Sequence, residues 1–483
     1  MGPGVSTPRS TWVLRSEKGK IVMGWSTARS LMESASTALE DAVRSYSARS
    51  RRRYMRAGFG TITNLIARAG SLVVSLITIP ITLPYLGTER FGMWMTIASL
   101  ASLLSFTGLG VSLSLLQSVA SADGSDSVFD MRSSISNALA ASLGTTVALL
   151  ALALIVVPAV PWSRVFNVTS VLATGEATPS VVVFLGVLLI GMPVGLSASV
   201  NNGLQHTYTT NIAGAIGSFA SLVGIVVCVR LGLGLPELVL ALSGGALVAG
   251  AVNTLALAAQ RPDLRPSRSL VTLPGIRAMF QGGASFLLIQ LAFAVAVSSD
   301  PIVVAQVQGA PAVADYSTVY RLFLVPAAIG AAITAPLWPG FREAWARGER
   351  EWVRRAFVRT LVVMVGTVVA LSAGAVLAGP SAMSILGQGK VKPELMLYVA
   401  FGFMTVVMAI GSAESILLNS LGLVRVQVTV WSAMALSNIV LGVCLTQRIG
   451  TAGVVWATAV TVGVSALILA RLIHTLLYKA ANA

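Results

Sequence analysis

A run of 26 residues without a charged side chain, Phe91–Leu116, is the feature that most limits how this chain can fold. About 20 mostly apolar residues in a helix are enough to cross the hydrocarbon core of a bilayer. The preceding apolar segment ends in Pro84–Arg90, where proline, glycine and a Glu-Arg pair are typical of a turn in water. Tyr85 and Trp94 flank this turn, as amphipathic rings do at the level of lipid headgroups. The sequence therefore predicts a hairpin of two membrane-spanning helices.

The composition extends this interpretation to the whole chain. Apolar residues make up 55% of the 483 residues and charged residues only 11%, and the mean hydropathy is +0.82. A soluble domain of this size carries about 25% charged residues, so the composition excludes a soluble fold. We predict an all-α integral membrane protein with about twelve spans. The expected spans are 57–83, 91–116, 138–158, 181–200, 212–229, 238–259, 284–306, 316–338, 361–379, 395–418, 426–444 and 452–471.

The distribution of Lys and Arg predicts the orientation, because cytoplasmic loops carry the excess. With the N-terminus inside, the inside segments hold 25 of the 33 basic residues and the outside loops hold six. We therefore expect a multi-pass protein of the cytoplasmic membrane with both termini in the cytoplasm. The net charge of +15 follows from this topology and does not indicate a nucleic-acid partner.

The chain divides into four predicted regions. Residues 1–56 lack the apolar core of a signal peptide and are expected to form a basic cytoplasmic tail. Residues 57–259 and 284–475 each hold six spans, and residues 260–283, with four arginines and three prolines, form a cytoplasmic connector. An alternative for part of the tail is a helix that docks a partner. Its apolar residues at helical spacing are Leu31, Ala35, Leu39, Ala42 and Tyr46.

Residues suited to metal or cofactor chemistry are scarce. The two cysteines, Cys228 and Cys444, both fall in predicted spans, and the chain has only two histidines. No Walker-type phosphate motif is present, so the sequence does not predict ATP hydrolysis by this chain. We expect no metal site and no cofactor, and we do not expect an enzyme.

Two turns carry a resemblance to a known family. The first reads Pro84-x-Leu86-Gly87-x-x-x-Phe91-Gly92-x-Trp94 and is followed, one helix later, by Thr107-Gly108-Leu109-Gly110. It resembles the first hairpin of the polysaccharide flippases related to O-antigen translocases. The second, Asp300-Pro301 with Tyr316 and Tyr320-Arg321-Leu322, is similar to the equivalent region of the second half, although Ala314-Asp315 replaces the usual small-apolar pair. Superimposing Gly87 on Gly309 also places Trp94 opposite Tyr316, as a weak internal repeat would.

The resemblance implies both a fold and an activity. The fold is that of the multidrug and polysaccharide exporters, in which two six-helix bundles face each other around a central cavity and alternate their access. The activity is translocation of oligosaccharide linked to a polyprenyl diphosphate from the inner to the outer leaflet. Membrane lipid, the lipid-linked glycan and other glycan-assembly proteins are the implied partners.

One face of the first span carries polar residues at intervals of three and four. This spacing places them on one stripe of a helix. Small polar residues also let helices approach closely, so the stripe alone is consistent with packing. An arginine near the bilayer centre costs about 2.5–3.5 kcal/mol unless it meets water or a partner, which favours a stripe that lines a cavity. The stripe is Thr61, Asn64, Arg68, Ser71, Ser75, Thr78 and Thr82.

The other charges within predicted spans are Asp300, Arg321 and Glu414. Asp300 and Arg321 lie at equal sequence distance from the turn between spans 7 and 8, so a tight hairpin holds them at one depth. We predict that they pair, either as a structural ion pair or as part of a coupling site. Glu414 lies about two turns from the cytoplasmic end of span 10 and either reaches interfacial water or lines the cavity.

A lipid-linked oligosaccharide flippase is the function that these features favour. Arg68 could attract the diphosphate, and Asp300 or Glu414 could couple transport to protons or sodium. An exporter of drugs or cations from the same superfamily is the first alternative, although such a protein favours an acidic or aromatic cavity. A membrane polymerase or ligase would need large extracytoplasmic loops, and a scaffold would need no polar stripe.

Overall fold

The computed structural model describes residues 13–16, 19–22, 63–64, 66–100, 109–281, 298–334, 337–386 and 388–479. Its contacts divide the chain into two units, Met1–Phe59 and Gly60–Ala483. In the first unit, β1 (Val13–Ser16) and β2 (Gly19–Val22) pair antiparallel, with Val13 opposite Val22. The predicted helix at residues 31–46 lies outside the described residues.

The described elements of the second unit are helical. The predicted connector contains the 3-10 turns Pro262–Leu264 and Arg268–Leu270. The helices are α1 (Ile66–Leu100), α2 (Leu109–Gly124), α3 (Val128–Ala159), α4 (Trp162–Val165), α5 (Val171–Gly203), α6 (Thr207–Arg230), α7 (Leu235–Gln260), α8 (Asp300–Gln308), α9 (Ala310–Thr334), α10 (Leu337–Ala346), α11 (Arg350–Leu386), α12 (Leu395–Ser420), α13 (Val424–Ile449) and α14 (Ala452–Lys479).

The helical segment α1 consists of two arms that are joined by a turn at Gly87. The side chain of Arg321 contacts both Thr78 and Met95, at 2.9 Å to Thr78 Oγ1 and 3.2 Å to Met95 Sδ. Along one straight helix these residues would be about 25 Å apart, so the chain must turn back between them. Gly87 has a φ of +74°, a conformation that glycine adopts without the strain of a Cβ. The predicted hairpin is therefore confirmed, and Gly309, its predicted counterpart in the second half, also has a positive φ of +88°.

Several helices are longer than the apolar segments that predicted them. Helix α11 spans 37 residues, whereas its predicted span covers 361–379. An apolar run measures only the part in hydrocarbon, and the helix continues into the headgroup layer through polar residues. Within the described residues, ten helices are long and apolar enough to cross a membrane, and the prediction of an all-α membrane fold is confirmed.

Helix packing builds two lobes. In the first lobe, α1–α7, the most extensive contacts join α7 to α5 and α6. In the second lobe, α8–α14, they join α14 to α12 and α13, and α12 to α11. Small residues allow the closest approaches, because a Cβ at Gly217 on α6 would overlap the backbone of Gly245 on α7.

The turn of α1 is fixed to the first lobe by charged side chains. Arg90 makes a bidentate pair with Glu176, with both distances 2.6 Å, and both side chains are less than 15% exposed. Glu89 accepts hydrogen bonds from the backbone N–H groups of Thr169 and Ser170, just before α5. A bidentate, charge-assisted pair in partial burial is among the stronger side-chain contacts, so it holds this turn against α5.

The two aromatic residues that flank the turn of α1 make their contacts inside the protein. Trp94 is 1% exposed and packs edge-on against Phe91, with ring centroids 6.1 Å apart. Tyr85 is partly buried, and its hydroxyl donates to the Leu233 carbonyl at 2.6 Å. Both rings therefore pack within the protein, where an aromatic side chain buries a large apolar area.

Candidate functional site

A cavity of about 650 Å³ lies between the two lobes, and α1, α6 and α9 line it. A second cavity of about 500 Å³ shares Ser71, Ser75 and Ser218 with the first, so the two are continuous. Asn64, Arg68, Ser71 and Ser75 of the predicted stripe line the first cavity, and Thr78 lines the second. Thr61 lies outside the described residues. The role of these residues in substrate binding stays a prediction.

The stripe on α1 becomes more buried along the helix. Arg68 and Ser71 are exposed and Ser75 is half-buried. Thr78 is 3% exposed and Thr82 is fully buried. The cavity therefore opens at the end of α1 that carries Asn64, which the distribution of basic residues predicts to be cytoplasmic, and it closes at Thr78.

Helix α6 supplies a polar wall that the sequence analysis missed. Ser218 hydrogen-bonds Ser71 with their hydroxyl oxygens 3.0 Å apart, and the Asn211 amide donates to the Thr63 hydroxyl at 3.0 Å. Thr210 and Gly214 complete this face. Their spacing along α6 places them on one side of the helix, so the same periodicity that identified the α1 stripe could have found them.

Arg321 closes the inner end of the cavity. Its Nη1 donates to the Ser75 carbonyl at 2.8 Å and to Thr78 Oγ1 at 2.9 Å, and its Nη2 contacts Met95 Sδ at 3.2 Å. The side chain thus crosses from α9 in the second lobe to both arms of α1 in the first. The prediction that Arg321 pairs with Asp300 is wrong, because equal depth on two helices does not make their side chains point toward each other.

The charged side chains that line the two cavities are both positive. Arg68 lies at the open end and Arg321 at the closed end. Seven to ten residues of α1 separate Arg68 from the groups that Arg321 contacts, which is about 10–15 Å along the helix. No Asp or Glu is present among the described residues that line the two cavities. The wall is suited to an anionic group between two guanidinium groups.

Asp300 is enclosed by neutral partners within the second lobe. It is 1% exposed, and its Oδ2 accepts hydrogen bonds from the Tyr316 hydroxyl at 3.2 Å and the Thr458 hydroxyl at 3.1 Å. Asn438 also hydrogen-bonds this carboxyl group, and its Oδ1 lies 3.2 Å from Thr458 Oγ1. Residues from α8, α9, α13 and α14 therefore converge on one carboxyl group.

Glu414 neither reaches water nor lines the described cavities. It is 3% exposed on α12, and its Oε2 is buried without a hydrogen-bond partner. An ionised carboxylate without a partner is expensive in such a place. Both sequence-based alternatives for this residue, interfacial water and the cavity wall, are therefore wrong for this conformation.

Side chains from two loops and from α8 join the lobes on the side opposite to the cavity opening. Lys390 donates to the Pro84 carbonyl at 2.7 Å, and Asn167 donates to the Ala305 carbonyl at 3.1 Å. Gln306 donates to the carbonyl groups of Arg164 and Val165. These bonds keep the lobes together at one face while the other face is open.

Comparisons with known proteins show the family and the fold of this chain. A family model described as "Polysaccharide biosynthesis protein" matches residues 58–345. No curated protein matches the chain. The fold is similar to an inward-facing multidrug resistance MATE family transporter of the MOP superfamily, with a TM-score of 0.71, 15% identity, and coverage of 87% of this chain and 99% of that one.

Two further solved structures share the fold. The lipid II flippase MurJ in an inward closed conformation gives a TM-score of 0.69 at 13% identity, covering 86% of this chain and 87% of that one. An outward-facing multidrug resistance MATE family transporter of the MOP superfamily gives a TM-score of 0.56 at 14% identity, covering 87% of this chain and 97% of that one.

Proposed function

Because the chain belongs to the polysaccharide biosynthesis protein family, whose model matches residues 58–345, we propose that it translocates polyprenyl-diphosphate-linked oligosaccharide from the inner to the outer leaflet. The glycan would serve cell-surface polysaccharide synthesis. The chain is a multi-pass membrane protein with the fold of MOP superfamily transporters. The proposal names a substrate for that fold.

The single observation that carries the proposal is the cationic wall. Arg68 and Arg321 line the connected cavities, and the described lining residues contribute no carboxylate. A diphosphate binds guanidinium groups through paired, charge-assisted hydrogen bonds. The hydroxyl and amide groups of α1 and α6 can hydrogen-bond sugars in the same cavity. The prenyl chain would stay in lipid.

The proposed mechanism is alternating access, in which the cavity opens to one face of the membrane at a time. In this conformation the cavity is open beside Arg68, and Arg321 bridges the lobes above it. A diphosphate that reached Arg321 would compete for the donors that now bind Ser75 and Thr78. Losing these bonds would weaken the closed side, so substrate binding and opening of the outer face would be coupled.

Substitution of Arg68 tests the proposal. We expect Arg68→Ala to reduce flipping of a lipid-linked oligosaccharide in proteoliposomes by roughly 10- to 100-fold, which corresponds to about 1.5–3 kcal/mol for a charge-assisted contact. Arg68→Lys should retain part of the activity, because it keeps the charge and loses the bidentate geometry. Arg230→Ala, at an exposed arginine that lines neither cavity, is the control and should leave flipping unchanged. Equal activity of wild type and Arg68→Ala would overturn the proposal.

We further propose that Asp300 carries the coupling ion, either a proton or sodium. Its partners Tyr316, Thr458 and Asn438 are neutral, and a buried carboxylate at membrane depth needs neutralisation. Asp300→Asn keeps the size of the side chain and one oxygen that can accept from the Tyr316 and Thr458 hydroxyl groups. We expect it to fold normally and to abolish the response of flipping to an imposed ion gradient, with Glu414→Gln as the matched comparison. A gradient response that survives in Asp300→Asn and disappears in Glu414→Gln would assign coupling to Glu414 instead.

A drug or cation exporter is the second candidate, favoured by the similarity to MATE transporters. The same proteoliposomes distinguish the two functions. Uptake of a cationic dye without movement of the lipid-linked glycan would favour the exporter, whereas the two-arginine wall disfavours a cationic substrate.

A further inference from the structure

A basic pocket lies on the outer surface of the second lobe, away from the central cavity. It has a volume of about 400 Å³ and is lined only by residues near the start of α11. Its lining residues are Arg354, Arg355, Val358, Arg359, Val362 and Val363. Neither the proposed transport path nor the proposed coupling site uses this pocket.

The pocket keeps an excess of positive charge. Glu351 accepts a bidentate pair from Arg354 and a further hydrogen bond from Arg355 at 2.9 Å. One carboxylate therefore pairs with two guanidinium groups, and Arg359 adds a third positive charge to the pocket. The Arg355 side chain is still 69% exposed, so its remaining donors face outward. An anion that approached the pocket would find donors suited to phosphate geometry.

Exposed apolar residues continue the face that carries Arg355 and Arg359. Val358, Val362 and Val369 follow at helical spacing and are 48%, 66% and 46% exposed. The distance from Arg359 to Val369 is about 15 Å along the helix, roughly half of the hydrocarbon core of a bilayer. The surface is thus cationic at one end and apolar over the depth of one leaflet.

Aromatic residues mark the level of this pocket in the membrane. Trp352 is 47% exposed, one turn before Arg355, and packs against Phe341 of α10. Arg350 lies over the ring of Trp345, 5.3 Å from its centroid. Tryptophan and arginine together are typical of the boundary between headgroups and acyl chains. Arg355 and Arg359 are therefore expected at headgroup level with Val358 between them, and Val362 and Val369 are expected in hydrocarbon.

We propose that this pocket binds one anionic glycerophospholipid from the leaflet at which α11 begins, predicted to be the cytoplasmic one. The phosphate contacts Arg355 and Arg359, and an acyl chain lies along Val358 and Val362. Charge complementarity selects an anionic lipid over a zwitterionic one, because each cation near an anionic headgroup contributes about 1 kcal/mol. The site is a structural lipid site and is independent of the substrate cavity.

Native mass spectrometry of the full-length protein in detergent, titrated with phosphatidylglycerol or phosphatidylcholine, tests the proposal. We expect preferential retention of one phosphatidylglycerol. The double variant Arg355→Gln/Arg359→Gln should bind it roughly thirtyfold more weakly, about fivefold for each arginine. Both side chains are at the surface, so folding is expected to be preserved, and circular dichroism with thermal unfolding checks it.

Two controls make the outcome decisive. Arg265→Gln/Arg268→Gln removes the same charge from exposed positions in the connector and should leave the first bound lipid unchanged. Val358→Ser/Val362→Ser keeps all the arginines and should also weaken binding, because an acyl chain needs the apolar face. Equal loss in the connector variant, full competition by inorganic phosphate, or unchanged binding in either pocket variant would overturn the proposal.

Discussion

Gly92 of the first lobe packs directly against the backbone of Ala310 in the second. A Cβ placed on Gly92 would overlap the Ala310 carbonyl oxygen, and Ala310 is fully buried. The contact lies just after the turn of α1, on the face that Lys390 and Asn167 also close. The closed face, opposite to the cavity opening, therefore requires a residue without a side chain at position 92.

The first prediction is that Gly92→Ala favours the conformation that is open to the outside. The added methyl group destabilises only the closed outer face, so the population shifts. Ser71→Cys, in a Cys228→Ser/Cys444→Ser background, should react several-fold faster with an impermeant thiol reagent added outside. Gly144→Ala is the matched control, because no atom lies within 4 Å of the added Cβ. An unchanged labelling rate in Gly92→Ala would show that the lobes close without this contact.

The second prediction concerns Asp300 and Arg321, which share no partner. Arg321 binds Ser75 and Thr78, whereas Asp300 binds Tyr316 and Thr458. The stability losses of Asp300→Ala and Arg321→Ala should therefore add in the double variant to within about 0.5 kcal/mol. Unfolding in detergent of wild type, both single variants and the double variant measures the coupling. A coupling energy above about 1 kcal/mol would mean that the two side chains meet in another conformation.

The third prediction concerns the Arg90–Glu176 pair that holds the α1 turn against α5. Glu176→Gln removes the charge and leaves the mostly buried Arg90 without its counterion, at a cost of about 2–3 kcal/mol in unfolding free energy. Replacing both residues by glutamine should recover part of this loss. Glu343→Gln is the control, because its pair with Arg347 is more than 60% exposed and should contribute about 0–1 kcal/mol. Equal losses in the two glutamine variants would show that burial does not strengthen the Arg90 pair.

The fourth prediction is the orientation, which rests on the distribution of Lys and Arg. Cysteines at Asp126 and Gln205, both at turns with positive φ, should be protected from an impermeant reagent in whole cells. Cysteines at Asn167 and Gly389, at turns on the other face, should react. The reverse pattern would invert the direction of transport that we propose.

Much of the fold could be predicted from sequence because it depends on local properties. Apolar runs of span length identified the helices, and the turn chemistry around Gly87 identified the first hairpin. Spacing by three and four placed Asn64, Arg68, Ser71 and Ser75 on one face of α1, and they line one cavity. Each of these inferences uses the rise and the repeat of a helix, which the sequence determines directly.

The inferences that sequence could not support concern the direction in which a side chain points and the residues that it contacts. The sequence determined the depth of Asp300 and Arg321 along their helices, but only lobe packing turned Arg321 toward α1 and Asp300 toward α13 and α14. The chemistry of Trp94 suited the headgroup level, and only the tertiary structure shows that its ring is buried against Phe91. Depth follows from counting residues along a helix axis. The rotation of that helix, and therefore the partner of each side chain, depends on the packing of all its neighbours.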